Sequence, residues 1–255
     1  MKLTKGARVL PHLILIHGRD GVGKSTLASE FPNPIFIGPE AGTYNLDVER
    51  FEGIKKWDDI TTALREVYKM KNKTVVIDSI DWCQILIIKH ICEKQGYNSI
   101  ELCSGGYSKG YVDVNNAFLE MQKNLNSLRE KGHNVVLICH SQSAEFNDPA
   151  IDQPYNRYEL KLFRSKSGNT DLRAIWREYV DAVLFLRHEI VTSGKNKEAR
   201  GHSTDRILMH LKPDARWDAK NRCGITDDLV FNLGKGYEVL NKALTKGVKN
   251  GKKES

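Results

Sequence analysis

The sequence predicts an α/β fold in which a mainly parallel central sheet is covered by helices on both faces. Short apolar runs of strand length alternate with longer segments of helical period, and the first apolar run leads through a glycine-rich loop into a helix. The 255 residues, 40% of them hydrophobic, suffice for one large domain. Such alternation implies β-α-β crossovers, and we expect the later strands to pair antiparallel at one edge.

Six apolar runs are candidate strands and four segments are candidate helices. The strands are Leu13–Ile16, Pro34–Gly38, Thr74–Ile77, Asn134–Cys139, Ala182–Arg187 and Ile207–Leu211. The helices are Lys24–Phe31, Trp57–Lys69, Trp82–Gln95 and Val112–Lys131. Two polar stretches, 96–110 and 141–169, fit neither period, and long segments of this kind tend to be functional loops or disorder. We expect one domain over residues 1–240 and a basic, disordered tail over residues 241–255.

Composition excludes several classes of protein. The 39 Lys and Arg residues exceed the 32 Asp and Glu residues, which gives a net charge of +7. No run approaches the roughly 18 apolar residues of a membrane span, and the N-terminus lacks the apolar stretch of a signal peptide, so we expect no membrane association. The 5 cysteines are odd in number and none has C-x-x-C spacing, which argues against a disulfide framework and a zinc site. We expect reduced thiols in a cytoplasm.

The most specific motif follows the first strand. Residues 18–25 match G-x-x-x-x-G-K-[ST], the phosphate loop of nucleotide-binding proteins, and they open a predicted helix as that motif requires. The glycines let backbone N–H groups face the phosphates, Lys24 can reach the β- and γ-phosphates, and Ser25 can ligate Mg²⁺. We expect ATP and Mg²⁺ as ligands. The predicted phosphate-binding residues are Gly18, Arg19, Asp20, Gly21, Val22, Gly23, Lys24, Ser25 and Thr26.

Polar residues stand at the ends of three further strands. Asp78 ends an apolar strand and would hold Mg²⁺ with Ser25. Glu40 follows the strand at residues 35–37 and is the candidate general base, with a solvated loop residue as the alternative. His140 would sense the γ-phosphate or form a hydrogen bond in the core. Asp81 is either a second acidic group of the site or a cap on the helix that starts near Trp82.

A basic segment follows His140. Residues 157–177 hold six basic and two acidic residues, interleaved with aromatic side chains. Basic and aromatic residues together suit single-stranded nucleic acid, although a solvated loop has the same composition. The candidate nucleic-acid contacts are Arg157, Tyr158, Lys161, Arg164 and Lys166. A second loop for DNA, or simply a surface connection, would contain Tyr107, Lys109 and Tyr111.

Four matches in order resemble the RecA-type ATPase core. They are the strand with its phosphate loop, a Phe-Pro-x-Pro turn at residues 31–34 into the strand before Glu40, the Asp-Ser pair at residues 78–79, and a Lys-Asn-Arg element at residues 220–222. The resemblance is closest to small phage nucleotide-binding proteins that include the Sak-type single-strand annealing ATPases. It implies a RecA-like P-loop NTPase core, in which Glu40 activates water and His140 couples the γ-phosphate to the DNA-binding loop.

The Lys-Asn-Arg element implies an assembly. It is similar to the Lys-Asn-Arg-Phe-Gly motif of RadA-type proteins, with Cys223 in place of the Phe. In those proteins the Lys and Arg reach the phosphates of a neighbouring subunit, so the resemblance predicts a ring or filament with Lys220 and Arg222 acting in trans. The two side chains would point the same way from an extended strand. A basic surface hairpin is the alternative.

We therefore expect an ATPase that binds single-stranded DNA and acts in phage recombination or replication, by annealing or loading. The expected partners are DNA, further copies of the chain and a single-strand binding protein, in the cytoplasm of the bacterial host if the protein is phage-encoded. The expected catalytic residues are Lys24, Glu40, His140, Lys220 and Arg222. The alternatives are a nucleotide-switched accessory ATPase, another RecA-like motor, or a nucleotide kinase with residues 157–177 as its lid.

Overall fold

The computed structural model describes residues 5, 10–166, 168–193 and 200–250. The strands are β1 Leu13–Gly18, β2 Pro34–Ile37, β3 Glu49–Arg50, β4 Thr74–Ile77, β5 Asn134–Phe146, β6 Tyr155–Leu160, β7 Ala182–Ser193, β8 Arg200–His210, β9 Lys220–Asn221 and β10 Leu229–Phe231. The helices are α1 Lys24–Ser29, α2 Trp57–Tyr68, α3 Ile80–Gln95, α4 Gly110–Glu130, α5 Leu172–Tyr179 and α6 Gly236–Asn250. Two 3₁₀ segments cover Ala41–Thr43 and Ile100–Gly105.

These strands form a single sheet in the order β10-β8-β7-β1-β5-β4-β2-β3. Neighbours from β7 through β3 run parallel, whereas β8 and β10 run antiparallel at one edge. Strand β6 pairs antiparallel with the far end of β5, and β9 pairs with the start of β7. The predicted fold class, a mainly parallel sheet with antiparallel edge strands, is confirmed.

Alternate residues of the central strands pack on opposite faces of the sheet. On β1, Leu13 and Leu15 join the core beneath α2, α3, α4 and α5, while Ile14 and Ile16 join the core beneath α1 and α6. Successive side chains of a strand point to opposite faces, and a central parallel strand is covered on both, so it reads as a continuous apolar run. The helices on both faces are therefore a direct consequence of these runs.

The stretch 141–169, expected to be an irregular loop, is in large part a β-hairpin. Strand β5 continues beyond the core to Phe146 and pairs with β6, from Ser141 opposite Leu160 to Phe146 opposite Tyr155. The hydrophobic pattern misses this extension because most side chains of β5 beyond His140 are polar. In the other unassigned stretch, a 3₁₀ segment buries Ile100 and Cys103.

Helix boundaries also differ from those expected. Helix α3 begins at Ile80 rather than Trp82, and α4 begins at Gly110 rather than Val112. Helix α5 was not expected from the sequence, because only eight residues form it. The sequence predicts a disordered tail from residue 241, but α6 continues through that position to Asn250. The helix buries Leu240 and Leu244 against the sheet. Residues 251–255 of that tail lie outside the described residues.

Two expectations from composition concern the membrane and the cysteines. Within the part of the chain that the structure describes, no helix combines the length and the apolar character that crossing a bilayer demands. All five cysteines lie in the described part and all are free thiols, four of them buried. The Sγ atoms of Cys92 and Cys103 lie 3.8 Å apart beneath the 3₁₀ segment.

Candidate functional site

The loop between β1 and α1 has the geometry that a phosphate-binding loop needs. Gly23, the residue before α1, has φ of +89°, a conformation that glycine adopts without steric cost. The Lys24 side chain is buried, and its Nζ donates to the carbonyls of Gly18 at 3.1 Å and Arg19 at 3.0 Å. Burial lowers the pKa of Lys24, and nearby carboxylates oppose this shift. The loop thus surrounds the Lys24 ammonium group at the position where phosphates would bind.

A hydroxyl and a carboxylate meet beside this loop. The Ser25 Oγ atom donates a 2.7 Å hydrogen bond to Oδ2 of Asp78, which ends β4 and is buried. Burial raises the pKa of Asp78 to about 6, although the hydrogen bond from Ser25 acts in the opposite direction. Such oxygen ligands suit Mg²⁺, which usually keeps several waters and takes further ligands from phosphates. The pair therefore fits a magnesium ion that arrives with a nucleotide.

In the described part of the chain, this pair does not belong to a metal site built from protein side chains alone. Among the described residues there is no cluster of three or more His, Cys, Asp or Glu side chains that could hold a metal ion. Sites built from one or two carboxylates together with substrate phosphates are the usual form for Mg²⁺. The predicted ligands Ser25 and Asp78 are thus brought together in the arrangement expected for a nucleotide-borne metal.

Glu40 lies beside the Ser25–Asp78 pair because β2 passes close to β4. A Cβ atom on Gly38 would lie 1.8 Å from the Asp78 carbonyl oxygen, so glycine alone permits this approach. Two residues later, the Glu40 carboxylate is 30% exposed and lines the same cleft as Lys24 and Ser25. Its Oε2 atom is buried and has no hydrogen-bond partner among the described residues. An unpaired carboxylate oxygen at this position can accept a hydrogen bond from water.

His140 joins the cleft from the point where β5 leaves the core. Its backbone N–H and its Nδ1 donate to the two carboxylate oxygens of Asp81, at 3.1 and 2.8 Å. Its Nε2 then faces Oε1 of Glu40 at 3.6 Å and Oδ1 of Asp20 at 3.5 Å. The hydrogen bond to Asp81 raises the pKa of His140. Burial would raise the pKa of Asp81, but its bonds to His140 outweigh burial and lower it.

The helix-cap alternative for Asp81 is wrong. Helix α3 begins at Ile80 with Ser79 as its N-cap, so Asp81 lies in the first turn rather than before it. Both of its carboxylate oxygens accept hydrogen bonds from His140. Asp81 therefore orients His140 and is a member of the site.

These groups line one cleft of about 1020 Å³. The phosphate loop lines it, together with the carboxylates of Glu40, Asp78 and Asp81. The same cleft is also lined by Trp82 and Ile85 of α3, Tyr111 of α4, and Lys161 and Arg164 from the segment after β6. Pockets for drug-sized ligands span roughly 300–1,000 Å³, so the cleft is at the upper end of that range.

The structure divides the predicted nucleic-acid residues into two groups. Arg157 donates to Asp218 at 2.6 Å and its side chain is only 14% exposed. Tyr158 stacks on Phe185 with ring centroids 5.2 Å apart. Both side chains therefore already have partners within the protein. Exposed side chains remain at Lys161, Arg164 and Lys166.

Lys220 and Arg222 lie away from the phosphate loop of their own chain. Strand β9 pairs with β7 at Ala182 and Val183, at the opposite end of β1 from Gly18. Lys220 Nζ donates to the carbonyls of Arg177 and Glu178. Arg222 donates to the Glu178 carbonyl at 2.8 Å and pairs with Asp181 at 3.3 Å. Both side chains contact the end of α5, and their role in trans stays a prediction.

Sequence reasoning missed two residues near the site. His17 lies on β1 directly before the loop and is fully buried; its Nδ1 lies 2.9 Å from Ser141 Oγ and its Nε2 lies 2.6 Å from the Asp218 carbonyl. Burial lowers its pKa to about 4, so it is neutral near pH 7. The signal for His17 in the sequence was a polar residue in the otherwise apolar strand β1. The sequence predicts Trp82 only as a helix start, because its exposure depends on tertiary packing.

Comparison with known protein families adds to this geometry. Residues 11–223 match an AAA domain, whereas a comparison with curated proteins finds no match. The matched range is most of the chain and runs from the start of β1 past β9. It includes the phosphate loop, Asp78, Glu40 and His140. The chain belongs to this AAA domain family of P-loop ATPases, which bind nucleotide, typically with Mg²⁺.

Proposed function

We propose that this protein is a Mg²⁺-dependent ATPase that binds single-stranded DNA and acts in recombination or replication, by annealing or loading. The observation that carries the proposal is the meeting of Glu40 and His140 beside the phosphate loop, with Glu40 Oε1 and His140 Nε2 3.6 Å apart. A general base and a polar sensor at this place support hydrolysis as well as binding.

The triphosphate would lie along the loop from Gly18 to Thr26. Lys24 would exchange its two carbonyl partners for β- and γ-phosphate oxygens, to which a cation bonds more strongly. Ser25 and Asp78 would hold the magnesium ion. When bound, that ion supplies Lewis-acid stabilisation of the charge on the transferring phosphoryl group.

Hydrolysis would depend on Glu40 and His140 together. The unpaired Oε2 of Glu40 would accept a hydrogen bond from the attacking water and orient it toward the γ-phosphate. His140, fixed by Asp81 through Nδ1, presents Nε2 to the same space. Its raised pKa favours the cationic form, which would hydrogen-bond to the γ-phosphate.

The connection to DNA would start at His140. Its carbonyl accepts a 2.9 Å hydrogen bond from the Lys161 backbone N–H, which joins the sensor to the segment after β6. A shift of His140 on contact with the γ-phosphate would therefore move Lys161, one of the exposed basic residues. This contact supports DNA binding that depends on the nucleotide state.

Assembly belongs to the same proposal. Copies of the chain would form a ring or filament, with Lys220 and Arg222 of one subunit reaching the nucleotide of the next. Arg222 is 56% exposed, which leaves it accessible to a neighbour. The similarity to Sak-type phage proteins and a single-strand binding protein as partner are further parts of this proposal, as is a role in the cytoplasm of a bacterial host.

The kinase alternative loses its main support. A lid over two substrates needs arginines that are free to close on phosphates. Arg157 and Arg177 instead pair with Asp218, at 2.6 and 2.7 Å, and Arg173 pairs with the buried Glu159. An accessory ATPase without DNA binding is the reading that would replace the proposal if DNA had no effect.

The test is ATP hydrolysis with and without single-stranded DNA, at two protein and two salt concentrations. We expect DNA to stimulate turnover, the stimulation to weaken with salt, and specific activity to rise with protein concentration. Lys24→Ala should abolish turnover, and Lys123→Ala, an exposed lysine on α4, is the matched control. Absence of any response to DNA would refute the DNA-binding part, and full turnover by Lys24→Ala would refute the site.

A further inference from the structure

The cleft has lining residues that the proposed nucleotide site does not use. One part of its wall is made of Trp82, Ile85, Tyr111, Lys161 and Arg164. None of these five side chains has a role in binding or hydrolysing ATP in the function proposed above. Their chemistry, aromatic and basic in close proximity, indicates a second ligand.

The aromatic part of this wall is exposed although it lies in a cleft. Trp82 is 42% exposed, whereas the other three tryptophans of the chain are at most 8% exposed. Ile85, one turn along α3, is 48% exposed. Exposed large apolar groups gathered in a concave surface mark ligand-binding sites more often than chance exposure does.

A stacked pair of aromatic rings, here called the Tyr111 platform, lines the same cleft as Trp82. The Tyr111 ring stacks face to face on Phe163, with centroids 3.4 Å apart and planes 2° from parallel. The backbone N–H of Phe163 donates a 2.9 Å hydrogen bond to Oε1 of Gln84, which ties this pair to α3. Aromatic rings held in place in this way are suited to stacking against a flat ligand such as a nucleobase.

The basic part of the wall is available to anions. No carboxylate of the described residues lies within ion-pair distance of the Lys161 ammonium. Arg164 forms one long ion pair, from its Nε to Oδ2 of Asp171 at 4.0 Å. Both side chains are exposed. They would therefore attract phosphate groups of a ligand in the cleft.

We propose that this wall is a subsite for single-stranded nucleic acid, in which bases stack on Trp82 and on the Tyr111 platform while Lys161 and Arg164 contact the phosphates. The inference rests on the proposed function and deepens it, because it places the nucleic acid on α3 and α4 rather than on Arg157 and Tyr158. The nucleic acid would then lie in the same cleft as the γ-phosphate.

The subsite also has a direct connection to the sensor. Trp82 follows Asp81 in the chain, and Asp81 holds His140 through two hydrogen bonds. Lys161 bonds to the His140 carbonyl from the other side. DNA bound to Trp82 and Lys161 would thus restrain Asp81 and Lys161, the two residues that hydrogen-bond to His140. In this way bound DNA would influence the hydrolysis step.

The experiment uses Trp82 as its own probe. Oligothymidylate with a fluorescein label is titrated with the full chain in the presence of Mg²⁺ and a non-hydrolysable ATP analogue, and anisotropy and tryptophan fluorescence are both recorded. We expect binding with quenching of Trp82. Trp82→Ala and the pair Lys161→Ala, Arg164→Ala should each weaken binding by about tenfold or more, and Trp82→Phe should bind normally. The matched controls are Tyr97→Ala and Lys89→Ala, both outside the cleft.

The outcomes separate the two proposals. Binding of the wild-type chain that neither quenches Trp82 nor weakens in these variants would overturn the subsite and leave DNA binding in place. Failure of the wild-type chain to bind would overturn both. Quenching by thymidine monophosphate at equal phosphate concentration, without binding of the oligonucleotide, would overturn the nucleic-acid assignment in favour of a free nucleotide.

Discussion

The Nδ1 atom of His140 lies 2.8 Å from Oδ2 of Asp81, and this contact sets the orientation of the imidazole ring. A carboxylate can only accept a hydrogen bond, so Nδ1 carries a proton and Nε2 points to Glu40. Asp81 therefore positions a residue that would meet the γ-phosphate, without reaching the phosphate itself.

Asp81→Asn should lower kcat for ATP by about tenfold or more while leaving KM nearly unchanged, since positioned acid–base groups contribute roughly 10²–10⁴-fold. Loss of the negative charge should also lower the pKa of His140, which the Asp81 contact now raises. The limb of the kcat–pH profile that reports His140 should then move to lower pH. A profile identical to that of the wild type would contradict the positioning role.

Asp78→Asn should stabilise the nucleotide-free protein while abolishing Mg²⁺-dependent turnover. The folded-state pKa of Asp78 is raised to about 6, mainly by burial, so ionisation destabilises the folded state as pH rises through that value. The difference from an unfolded value near 3.9 corresponds to about 2–3 kcal/mol at pH 8. The gain should fall to about half by pH 5 and nearly vanish by about pH 4.

Urea unfolding at pH 8 and pH 5 measures this effect. Asp20→Asn is the control, because the Asp20 side chain is 92% exposed and its removal should change stability little. An Asp78→Asn protein that is less stable than the wild type at pH 8 would contradict the stated cost of ionising the buried carboxylate.

Gly38→Ala should disrupt the site through the backbone. The added Cβ would overlap the Asp78 carbonyl oxygen, and the strands must separate to admit it. We expect a loss of stability of roughly 1–3 kcal/mol or more and weaker Mg²⁺-dependent nucleotide binding. Gly42→Ala is the control, since its Cβ would meet nothing closer than 4.0 Å. Equal effects of the two substitutions on binding would count against the close approach.

Arg222→Ala should reduce turnover and leave nucleotide binding largely intact, because the guanidinium lies away from the loop of its own chain. Mixing this variant with Lys24→Ala supplies the sharper measurement. If Arg222 acts on a neighbour, Lys24→Ala subunits provide the missing arginine to intact phosphate loops, and activity should partly return. A mixture no more active than its parts would refute action in trans.

Much of the catalytic end of the fold could be predicted from the sequence, because it is encoded locally. The phosphate loop is contiguous, and Glu40 and Asp78 follow parallel strands whose carboxyl ends meet at one edge. The ion pair between Arg157 and Asp218 could not be predicted, since the two residues are 61 positions apart in the chain. Nor could the exposure of Trp82, because an apolar residue in a helix is buried or exposed only through its neighbours.

Strand β5 is a single element of thirteen residues that begins in the core and ends in solvent. His140 sits where it leaves the core, and the six residues beyond it extend for roughly 20 Å. If His140 contacts the γ-phosphate as proposed, the strand would act as a lever with its fulcrum at His140. Because a paired hairpin resists bending, a small tilt at His140 becomes a larger displacement at the tip near Phe146, and the position of that tip would report which nucleotide is bound.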